Sequence, residues 1–342
     1  MRNVMALGAA LVAALALSDV VTESQGEAGN DFPNPYTIGP WGQLPGGRKI
    51  GAVAGIDIDR DGRSLWAFER CGGATCDGSS LAPLLKFDSG GKLIASFGAG
   101  MFVYPHGIYV DRDDNIWVTD GQGKGSKGHT VVKFSPTGRV LMTLGTPGVA
   151  GAGDDMFNQP SDVVVGPTGS IFVADGHGGD SNARIVKFDR DGKFIKAWGK
   201  KGSGEGEFDT PHSLLIDGRG RLVVADRGNS RIQIFDQEGR FISEMRQFGR
   251  PSSIFLDAKG MLYSADSQSN TPAVNPSVKR GIRIGALADG KVRYFVPDPD
   301  PIDPAVGGGR EGVAVDRQGI VYVAKTGAGG LFRYTNETAG SR

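Results

Sequence analysis

Short apolar runs recur along most of the chain, and within each run apolar and polar residues tend to alternate. Such alternation is typical of β-strands, because successive side chains of a strand point to opposite faces. The runs come in pairs separated by a polar turn that usually contains glycine, and an acid usually closes the second run. The pattern therefore predicts many short strands joined by tight turns.

Six copies of this paired run follow one another along the chain. Each copy has one anchor residue before its turn, and the anchors are Asp59, Asp111, Gly166, Asp217, Asp257 and Asp316. Third and fourth apolar runs follow most copies, such as LLKFD and then LIASFG in the first. The anchors are 40 to 59 residues apart, which suits four strands with their loops. The sequence predicts an all-β, six-bladed β-propeller of four-stranded antiparallel blades.

The sixth repeat has no fourth strand after LFRYT, so we expect residues 36–44 to supply it. A strand from the N-terminal side would close the ring and hide the sheet edges that otherwise invite aggregation. The predicted propeller spans residues 51–335. An N-terminal segment that includes the closing strand, residues 19–50, precedes it, and a tail, residues 336–342, follows it.

The first 18 residues have the features of a signal peptide: Arg2, an apolar stretch from Val4 to Leu17, and small residues at Ala16 and Ser18. We therefore expect a secreted or periplasmic protein with no membrane span after removal of this segment. An uncleaved anchor remains an alternative. In an oxidising compartment the two cysteines, Cys71 and Cys76, are expected to form a disulfide; two free thiols on a surface loop are the alternative.

Charge and composition narrow the range of partners. The chain has 38 Lys and Arg residues and 38 Asp and Glu residues, so no overall field attracts a polyanion, and a nucleic-acid partner is disfavoured. Glycine contributes 55 residues and proline 18, which suits a chain that turns often. Neither a nucleophile elbow nor a phosphate loop is present, so covalent catalysis lacks support.

The position five residues before each anchor should ring the mouth of the central channel. Its six occupants are Ala54, His106, Ser161, His212, Ser252 and Glu311. In a ring of six blades, His106, His212 and Glu311 would converge on the axis from alternate blades. Two imidazoles and a carboxylate make a catalytic zinc set with a position left for water or substrate, although Fe, Mn and Co also accept these ligands. Either histidine could instead bond only to a loop carbonyl.

A second ring of candidates follows the second strand of each blade. Arg70 could clamp a carboxylate in bidentate fashion, with the loop from Cys71 to Cys76 restricting its motion; a rim salt bridge is the alternative. His177 could act as acid or base near the metal, or be a solvated loop residue. His129 is expected on the plain surface. We expect structural hydrogen bonding, without chemistry, from the acids that close the second strands: Asp120, Asp175, Asp226 and Asp266.

Two levels of family resemblance add to these patterns. The phrase VADRGNSRI from Val224 resembles the consensus of the NHL-repeat family, and the likeness extends from about residue 50 to residue 335. The segments YPHG from Tyr104 and TPHS from Thr210 resemble two Pro-His segments of its peptidyl-α-hydroxyglycine α-amidating lyase branch. The resemblance implies a catalytic zinc bound by His106, His212 and a third donor. The segment GREG from Gly309 puts Glu311 where that family has histidine.

The same resemblance implies further roles. Arg70, in the segment FER, corresponds to the catalytic arginine of the family, and His177, in the segment DGH, would replace its catalytic tyrosine as the base. Gly312 stands where an acid helps to hold structural calcium, which puts structural calcium in doubt for this chain. The implied reaction cleaves the C–N bond of a carbinolamide to an amide and glyoxylate.

Other functions remain open from the sequence. The substrate of such a lyase would be a small molecule or a peptide. A related metal-dependent hydrolase or lactonase would use the same ligand set. A non-catalytic exported propeller would instead bind a protein or a glycan on its open face.

Overall fold

The computed structural model describes residues 28–271, 274–301, 308–327 and 329–336. Within these ranges, 24 strands form six four-stranded antiparallel sheets, and the one helical segment is a 3₁₀ turn, Pro45–Gly47. The predicted all-β, six-bladed propeller is therefore confirmed. The predicted signal peptide, residues 1–18, lies outside the described residues, as do residues 337–342 of the predicted tail.

Five blades are built from consecutive strands, and the strand β1 (Tyr36–Trp41) precedes them. Blade one contains β2 (Val53–Ile58), β3 (Leu65–Glu69), β4 (Leu84–Phe87) and β5 (Leu93–Phe97). Blade two contains β6 (Pro105–Val110), β7 (Ile116–Asp120), β8 (Thr130–Phe134) and β9 (Val140–Leu144). Blade three contains β10 (Pro160–Val165), β11 (Ile171–Asp175), β12 (Arg184–Phe188) and β13 (Phe194–Trp198).

The remaining blades repeat this order from the channel outward. Blade four contains β14 (Pro211–Ile216), β15 (Leu222–Asp226), β16 (Arg231–Phe235) and β17 (Phe241–Met245). Blade five contains β18 (Pro251–Leu256), β19 (Met261–Asp266), β20 (Gly281–Ala286) and β21 (Val292–Pro297). Blade six contains β22 (Arg310–Val315), β23 (Val321–Lys325) and β24 (Leu331–Asn336), with β1 as its outermost strand.

The pairing of β1 with β24 closes the ring, as the sequence predicted. The two strands run antiparallel, with Tyr36 opposite Asn336 and Trp41 opposite Leu331. The Trp41 ring also contacts Phe87 of blade one and Tyr322 of blade six, with ring centroids 5.6 and 4.8 Å away. Aromatic contacts of this kind strengthen a seam beyond the area they bury, so Trp41 joins the first blade to the last.

Apolar side chains pack between neighbouring blades rather than around one centre. The described residues form six buried clusters, one for each pair of adjacent blades. In the first, Trp66 and Phe68 of blade one pack with Ile108 and Phe134 of blade two. Because strands of period two bury one face against each neighbouring blade, the blades stand around an axis and leave a central channel of about 580 Å³.

Acids at the strand ends support this frame through hydrogen bonds. The carboxylate of Asp59 accepts from Trp66 Nε1 at 2.8 Å, and Asp111 accepts from Trp117 Nε1 at 2.9 Å. Asp120, which closes β7, accepts from the backbone N–H groups of Val103 and Tyr104 at 2.9 and 2.5 Å. Asp175, Asp226 and Asp266 likewise accept from backbone N–H groups, so the acids that close the second strands have the structural role that the sequence predicted.

Two more carboxylates, Asp57 and Asp162, lie along the channel wall. Each accepts a backbone N–H from the next blade, Asp57 from Val110 and Asp162 from Leu214, both at 2.8 Å. Burial raises the pKa of each carboxyl to about 7 in spite of these hydrogen bonds. Blade one is therefore linked to blade two, and blade three to blade four, by carboxylates that are poorly solvated when charged.

Two further observations bear on the sequence predictions. His129 is buried, with 9% of its surface exposed, and its Nδ1 accepts a hydrogen bond from Gln159 N at 3.3 Å. The surface position expected for it is therefore wrong, because its loop folds back against blade three. Within the described parts of the chain, no helix is long and apolar enough to span a bilayer.

Candidate metal centre

Three strand starts direct polar side chains at the propeller axis. Pro105 begins β6, Pro211 begins β14 and Arg310 begins β22, and the residue after each is His106, His212 or Glu311. The strand register shifts at the same place in all three blades. An irregularity of this type re-aims a side chain out of the sheet, so the local pairing turns each donor toward the channel.

The three side chains meet on the axis, as expected from their equivalent positions. Glu311 Oε1 lies 3.1 Å from His212 Nε2 and 3.8 Å from His106 Nε2. The two imidazole ring centroids are 4.6 Å apart. His106 and His212 are each 3% exposed and Glu311 is 7% exposed. Side chains from blades two, four and six therefore form one compact, buried cluster.

The intervening blades fix the orientation of both imidazoles. His106 Nδ1 lies 2.6 Å from the carbonyl oxygen of Ser161, and His212 Nδ1 lies 2.5 Å from that of Ser252. A carbonyl oxygen can only accept, so Nδ1 carries the donated proton and, in the neutral ring, Nε2 keeps its lone pair. Hydrogen bonding of this type holds a metal-binding histidine in the correct tautomer.

Burial also sets the protonation states of the donors. The pKa of His106 lies well below its usual value because of burial and the neighbouring His212, and burial near Arg227 lowers that of His212. Burial alone would raise the pKa of the Glu311 carboxyl, but His212, protonated at the acidic pH where a carboxyl titrates, and Arg227 hold it well below its usual value. At neutral pH the cluster therefore presents neutral imidazoles and a carboxylate, which are the forms that bind metals.

The donor atoms of this cluster fit a divalent cation. Among the described residues, the buried Nε2 atoms of His106, His177 and His212 have no hydrogen-bond partner. The 3.1 Å contact between His212 Nε2 and Glu311 Oε1 joins two acceptors when the proton of the neutral ring is on Nδ1. One donor atom from each of these rings and one from Glu311 all lie within 4.8 Å of one another. Lone pairs gathered without protons between them repel one another unless a cation is shared. The cluster could thus hold a metal ion, and nitrogen and oxygen donors are compatible with several divalent ions.

His177 belongs to this group of donors, which the sequence analysis did not foresee. It lies in the loop after β11, and its ring centroid is 4.5 Å from His106 and 5.0 Å from His212. Burial and the charge of neighbouring groups, led by His106, hold its pKa well below the usual value. His177 is therefore a half-buried loop residue whose Nε2 faces the cluster, rather than a fully solvated one.

Arg70 lies at the side of the cluster, at the end of β3. Its Nε donates to the carbonyl oxygen of Pro105 at 3.1 Å, and its guanidinium carbon lies 3.7 Å from the centre of the Tyr104 ring. The Tyr104 ring centroid is in turn 6.3 Å from that of His106. No carboxylate pairs with Arg70 in the described ranges of the chain, so the rim salt bridge considered from the sequence is not found. The guanidinium is buried and ordered by its neighbours, as a carboxylate-binding group should be.

The predicted disulfide follows directly after this arginine. Cys71 and Cys76 are bonded, with their Cα atoms 5.0 Å apart, and this prediction is confirmed. Cys71 has a φ of +52°, a conformation that a non-glycine residue adopts only when its surroundings hold it there. The small covalent loop therefore restrains the backbone at the C-terminal side of Arg70.

Arg227 was not assigned a role from the sequence, yet it contacts the cluster. It follows Asp226 of blade four, as Arg70 follows Glu69 of blade one. Its Nη1 lies 3.6 Å from Glu311 Oε1, and burial lowers its pKa to about 10 against the opposing attraction of Glu311. In the sequence, only its position after the second strand of blade four, equivalent to that of Arg70 in blade one, could have indicated a role for Arg227. Arg227 offsets the charge that the buried carboxylate brings into the cluster.

Gly312 occupies a tight position next to Glu311. A Cβ atom at this residue would approach the carbonyl oxygen of Ala54 to 2.6 Å, which is too close without a backbone shift. An acidic side chain therefore does not fit here in the present backbone. This agrees with the doubt about structural calcium that the resemblance raised.

Comparisons with known proteins agree with the propeller fold. A family described as a 6-bladed β-propeller matches residues 156–269, and the NHL repeat matches residues 102–134. The chain is 32% identical over 268 residues to NHL repeat-containing protein 3 of Homo sapiens, covering 75% of this chain and 74% of that protein. The chain belongs to the NHL-repeat family. The similarity thus extends from a single repeat, residues 102–134, to 75% of the chain.

Other relatives of this NHL-repeat protein include named lyases. It is 36% identical over 208 residues to a probable peptidyl-α-hydroxyglycine α-amidating lyase of Caenorhabditis elegans, covering 55% of this chain and 56% of that protein. A gluconolactonase structure from Xanthomonas campestris has a TM-score of 0.57 at 15% identity, covering 92% of this chain and 98% of that one. At such low identity the second likeness shows the fold alone.

Proposed function

We propose that this NHL-repeat propeller is an exported, metal-dependent lyase that cleaves the C–N bond of a peptidyl-α-hydroxyglycine or a similar carbinolamide. The products would be an amide and glyoxylate. The observation that carries the proposal is the convergence of two buried imidazole Nε2 atoms and one carboxylate beside Arg70. The similarity to a probable α-amidating lyase over 55% of the chain supports this reaction class.

The proposed division of labour follows from the geometry. His106, His212 and Glu311 would hold the cation, for which zinc is the first candidate. A bound divalent cation lowers the pKa of a hydroxyl group in contact with it. Arg70 would bind the carboxylate of the substrate through its two outer nitrogens, while Tyr104 and the carbonyl oxygen of Pro105 hold the guanidinium in place.

The bond changes balance without any further reactant. The hydroxyl proton of the substrate leaves its oxygen, the carbon–oxygen bond becomes a carbonyl, and the carbon–nitrogen bond breaks. The nitrogen receives a proton, which gives the amide, and the remaining fragment is glyoxylate. His177, neutral at pH 7 because burial lowers its pKa, has the protonation state that a proton acceptor needs.

Glu311 distinguishes this chain from the zinc set of three histidines implied by the resemblance. A carboxylate ligand adds a negative charge to the centre and makes a bound cation a weaker Lewis acid. Arg227, 3.6 Å from the same oxygen, offsets part of that charge. Arg227 would thereby limit the loss of Lewis acidity that a carboxylate ligand causes. Export of the protein is supported by the disulfide and by the signal-like residues 1–18.

A non-catalytic binding propeller is the second candidate. NHL repeat-containing protein 3 covers 75% of this chain, more than the probable lyase covers, and its printed name states no activity. Under this candidate the open face would bind a protein or a glycan. The buried donors would then have only a structural role. Their Nε2 atoms have no hydrogen-bond partner among the described residues, which argues against such a role.

Metal content and glyoxylate release test the proposal directly. We expect about one divalent ion per chain after dialysis against Zn²⁺, Mn²⁺ or Co²⁺ and then against metal-free buffer, together with glyoxylate release from N-benzoyl-α-hydroxyglycine. Arg70→Ala should retain the ion but lower kcat/KM by about 100-fold or more, with Arg70→Lys intermediate. A wild-type protein that binds no ion and releases no glyoxylate would favour the binding propeller.

A further inference from the structure

The loop after β11 adds a fourth donor to the cluster. We infer that His177 is a metal ligand, so that the site consists of three imidazoles and one carboxylate and takes a cation with six coordination positions. This inference rests on the proposed metal centre and replaces the expected role of His177 as the base. If His177 is a ligand, a different metal is expected in the site, and His177 is no longer free to accept a proton.

The position of the His177 ring favours coordination over proton transfer. Its Nε2 is buried and has no hydrogen-bond partner within the described ranges, as is also true of Nε2 in His106 and His212. Its ring centroid is about as far from the His106 ring, at 4.5 Å, as that of His212 is, at 4.6 Å. A general base should face the substrate, whereas His177 stands among the ligands as a member of the same group of donors.

The loop that bears His177 is held by its own hydrogen bonds. Ser181 Oγ accepts from the backbone N–H groups of His177 and Gly178, at 2.9 and 3.0 Å. Gly176 has a φ of +146°, and a Cβ there would collide with the carbonyl oxygen of Asn182. The turn thus needs glycine at this point and leads the chain from the end of β11 back to the axis. A ligand on a restrained loop loses little entropy when it binds.

The number of donors restricts the kind of cation. Zinc in proteins is usually four-coordinate, and a zinc site with four protein ligands is closed and structural. A cation that accepts six donors, such as Mn²⁺, Fe²⁺ or Co²⁺, would keep two positions for a substrate while bound to His106, His177, His212 and Glu311. A site with four protein ligands can therefore be catalytic only if its metal ion accepts more than four donors.

Metal binding by His177 variants tests this assignment. We would measure Co²⁺ affinity by competition with a chromophoric chelator for the wild type, His177→Ala and His177→Gln. The matched control is His129→Ala, which removes the other loop histidine, one whose Nδ1 already accepts from Gln159 N. Both His177 variants should bind Co²⁺ at least about 10- to 100-fold more weakly than the wild type, and the control should stay within about twofold. Thermal unfolding of the metal-free proteins would identify any variant that fails to fold.

The visible spectrum of the Co²⁺ protein supplies a second readout. The wild type should show the weak absorption of six-coordinate Co²⁺ rather than the intense bands of a four-coordinate ion. Unchanged Co²⁺ affinity in both His177 variants with a large loss of glyoxylate release would overturn the inference, make His177 the base and leave the proposed lyase intact. Intense bands in the wild type would also overturn it. A wild-type protein that binds no divalent ion would instead overturn the proposed function itself.

Discussion

Blades two, four and six differ from blades one, three and five at the position that faces the channel mouth. The even blades carry the donors His106, His212 and Glu311, and the odd blades carry small residues, Ala54, Ser161 and Ser252. The small residues are not passive, because the carbonyl oxygens of Ser161 and Ser252 accept from the Nδ1 atoms of the two histidines. One set of blades therefore supplies the candidate metal donors, and the other provides the room and the backbone acceptors that orient them.

The largest difference between the two sets should appear in metal affinity. His212→Ala removes an even-blade donor and should weaken binding of a divalent ion by at least about 100-fold, because no neighbouring group replaces its Nε2. Ser252→Ala, its odd-blade counterpart, keeps the carbonyl that orients His212 and should change the affinity by less than about threefold. Chelator competition at fixed pH measures both. Equal effects would show that the alternation has no bearing on metal binding.

A second prediction concerns blade one, an odd blade that contributes Arg70 instead of a ligand. Replacing Cys71 and Cys76 together by serine opens a loop with a sequence separation of 5 residues and should lower the free energy of unfolding by about 2 kcal/mol. Arg70 should become less ordered, so KM for an α-hydroxyglycine substrate should rise, while metal affinity should not change. Denaturant unfolding and steady-state kinetics test this.

Reductant supplies the control for the disulfide variant. Treatment with a thiol should shift the wild type toward the behaviour of the double variant and leave the variant itself unaffected. If metal affinity falls along with stability, the loop supports the ligands of the even blades as well, and the separation of roles between the blades fails.

The third prediction uses the carboxylates of blades one and three, Asp57 and Asp162. Burial raises their pKa from 3.8 to about 7 in the folded protein, so between about pH 4 and pH 7 the folded state binds protons that the unfolded chain does not. Their contribution to stability is therefore fully present below pH 4 and is lost as the pH rises through 7. Asp57→Asn and Asp162→Asn should each raise the free energy of unfolding by about 1 kcal/mol at pH 8.

The pH dependence of that gain is its own test. An amide oxygen can still accept the N–H of Val110 or Leu214, but the bond from Ile58 N or Val163 N to the second oxygen is lost. The gain should therefore come from removing a charge, and near pH 4 it should vanish or turn into a small loss. Urea unfolding at the two pH values measures it. A gain of equal size at both values would attribute the effect to packing instead.

The smallest effect is expected on the outermost strands, where odd and even blades should not differ. Exposed apolar residues occupy the second position of the outer strand in four successive blades: Ile94, Leu141, Ile195 and Ile242. Replacing any one of them by threonine should change the free energy of unfolding by no more than about 0.5 kcal/mol. A larger change found only in even blades, or only in odd blades, would show that the two sets of blades also differ at their outer strands.

The sequence predicted the fold and part of the cluster for the same reason. Repeats give every blade equivalent positions, so counting five residues back from each anchor was enough to bring together His106, His212 and Glu311. The closing strand followed from the incomplete sixth repeat, and pairing of Tyr36–Trp41 with β24 confirms it.

Loops account for what the sequence did not reveal. The place of His177 depends on the course of the chain after Gly176, and strand periodicity carries no information on the direction of a loop. The same is true of His129, which was expected on the surface and is buried. Arg227 follows a strand end equivalent to that before Arg70. Its ion pair with Glu311 crosses the channel, and residue spacing along the chain cannot predict which side chains meet there.

The seam between β1 and β24 links assembly of the cluster to completion of the ring. Glu311 belongs to blade six, whose outer strand comes from the opposite part of the chain, so the blade that carries this carboxylate is complete only when residues nearly 300 positions apart have paired. A cation held by His106, His212 and Glu311 together would therefore require blades two, four and six to be in place at the same time. Occupancy by metal would then report, in a single measurement, that the circle of blades has been joined.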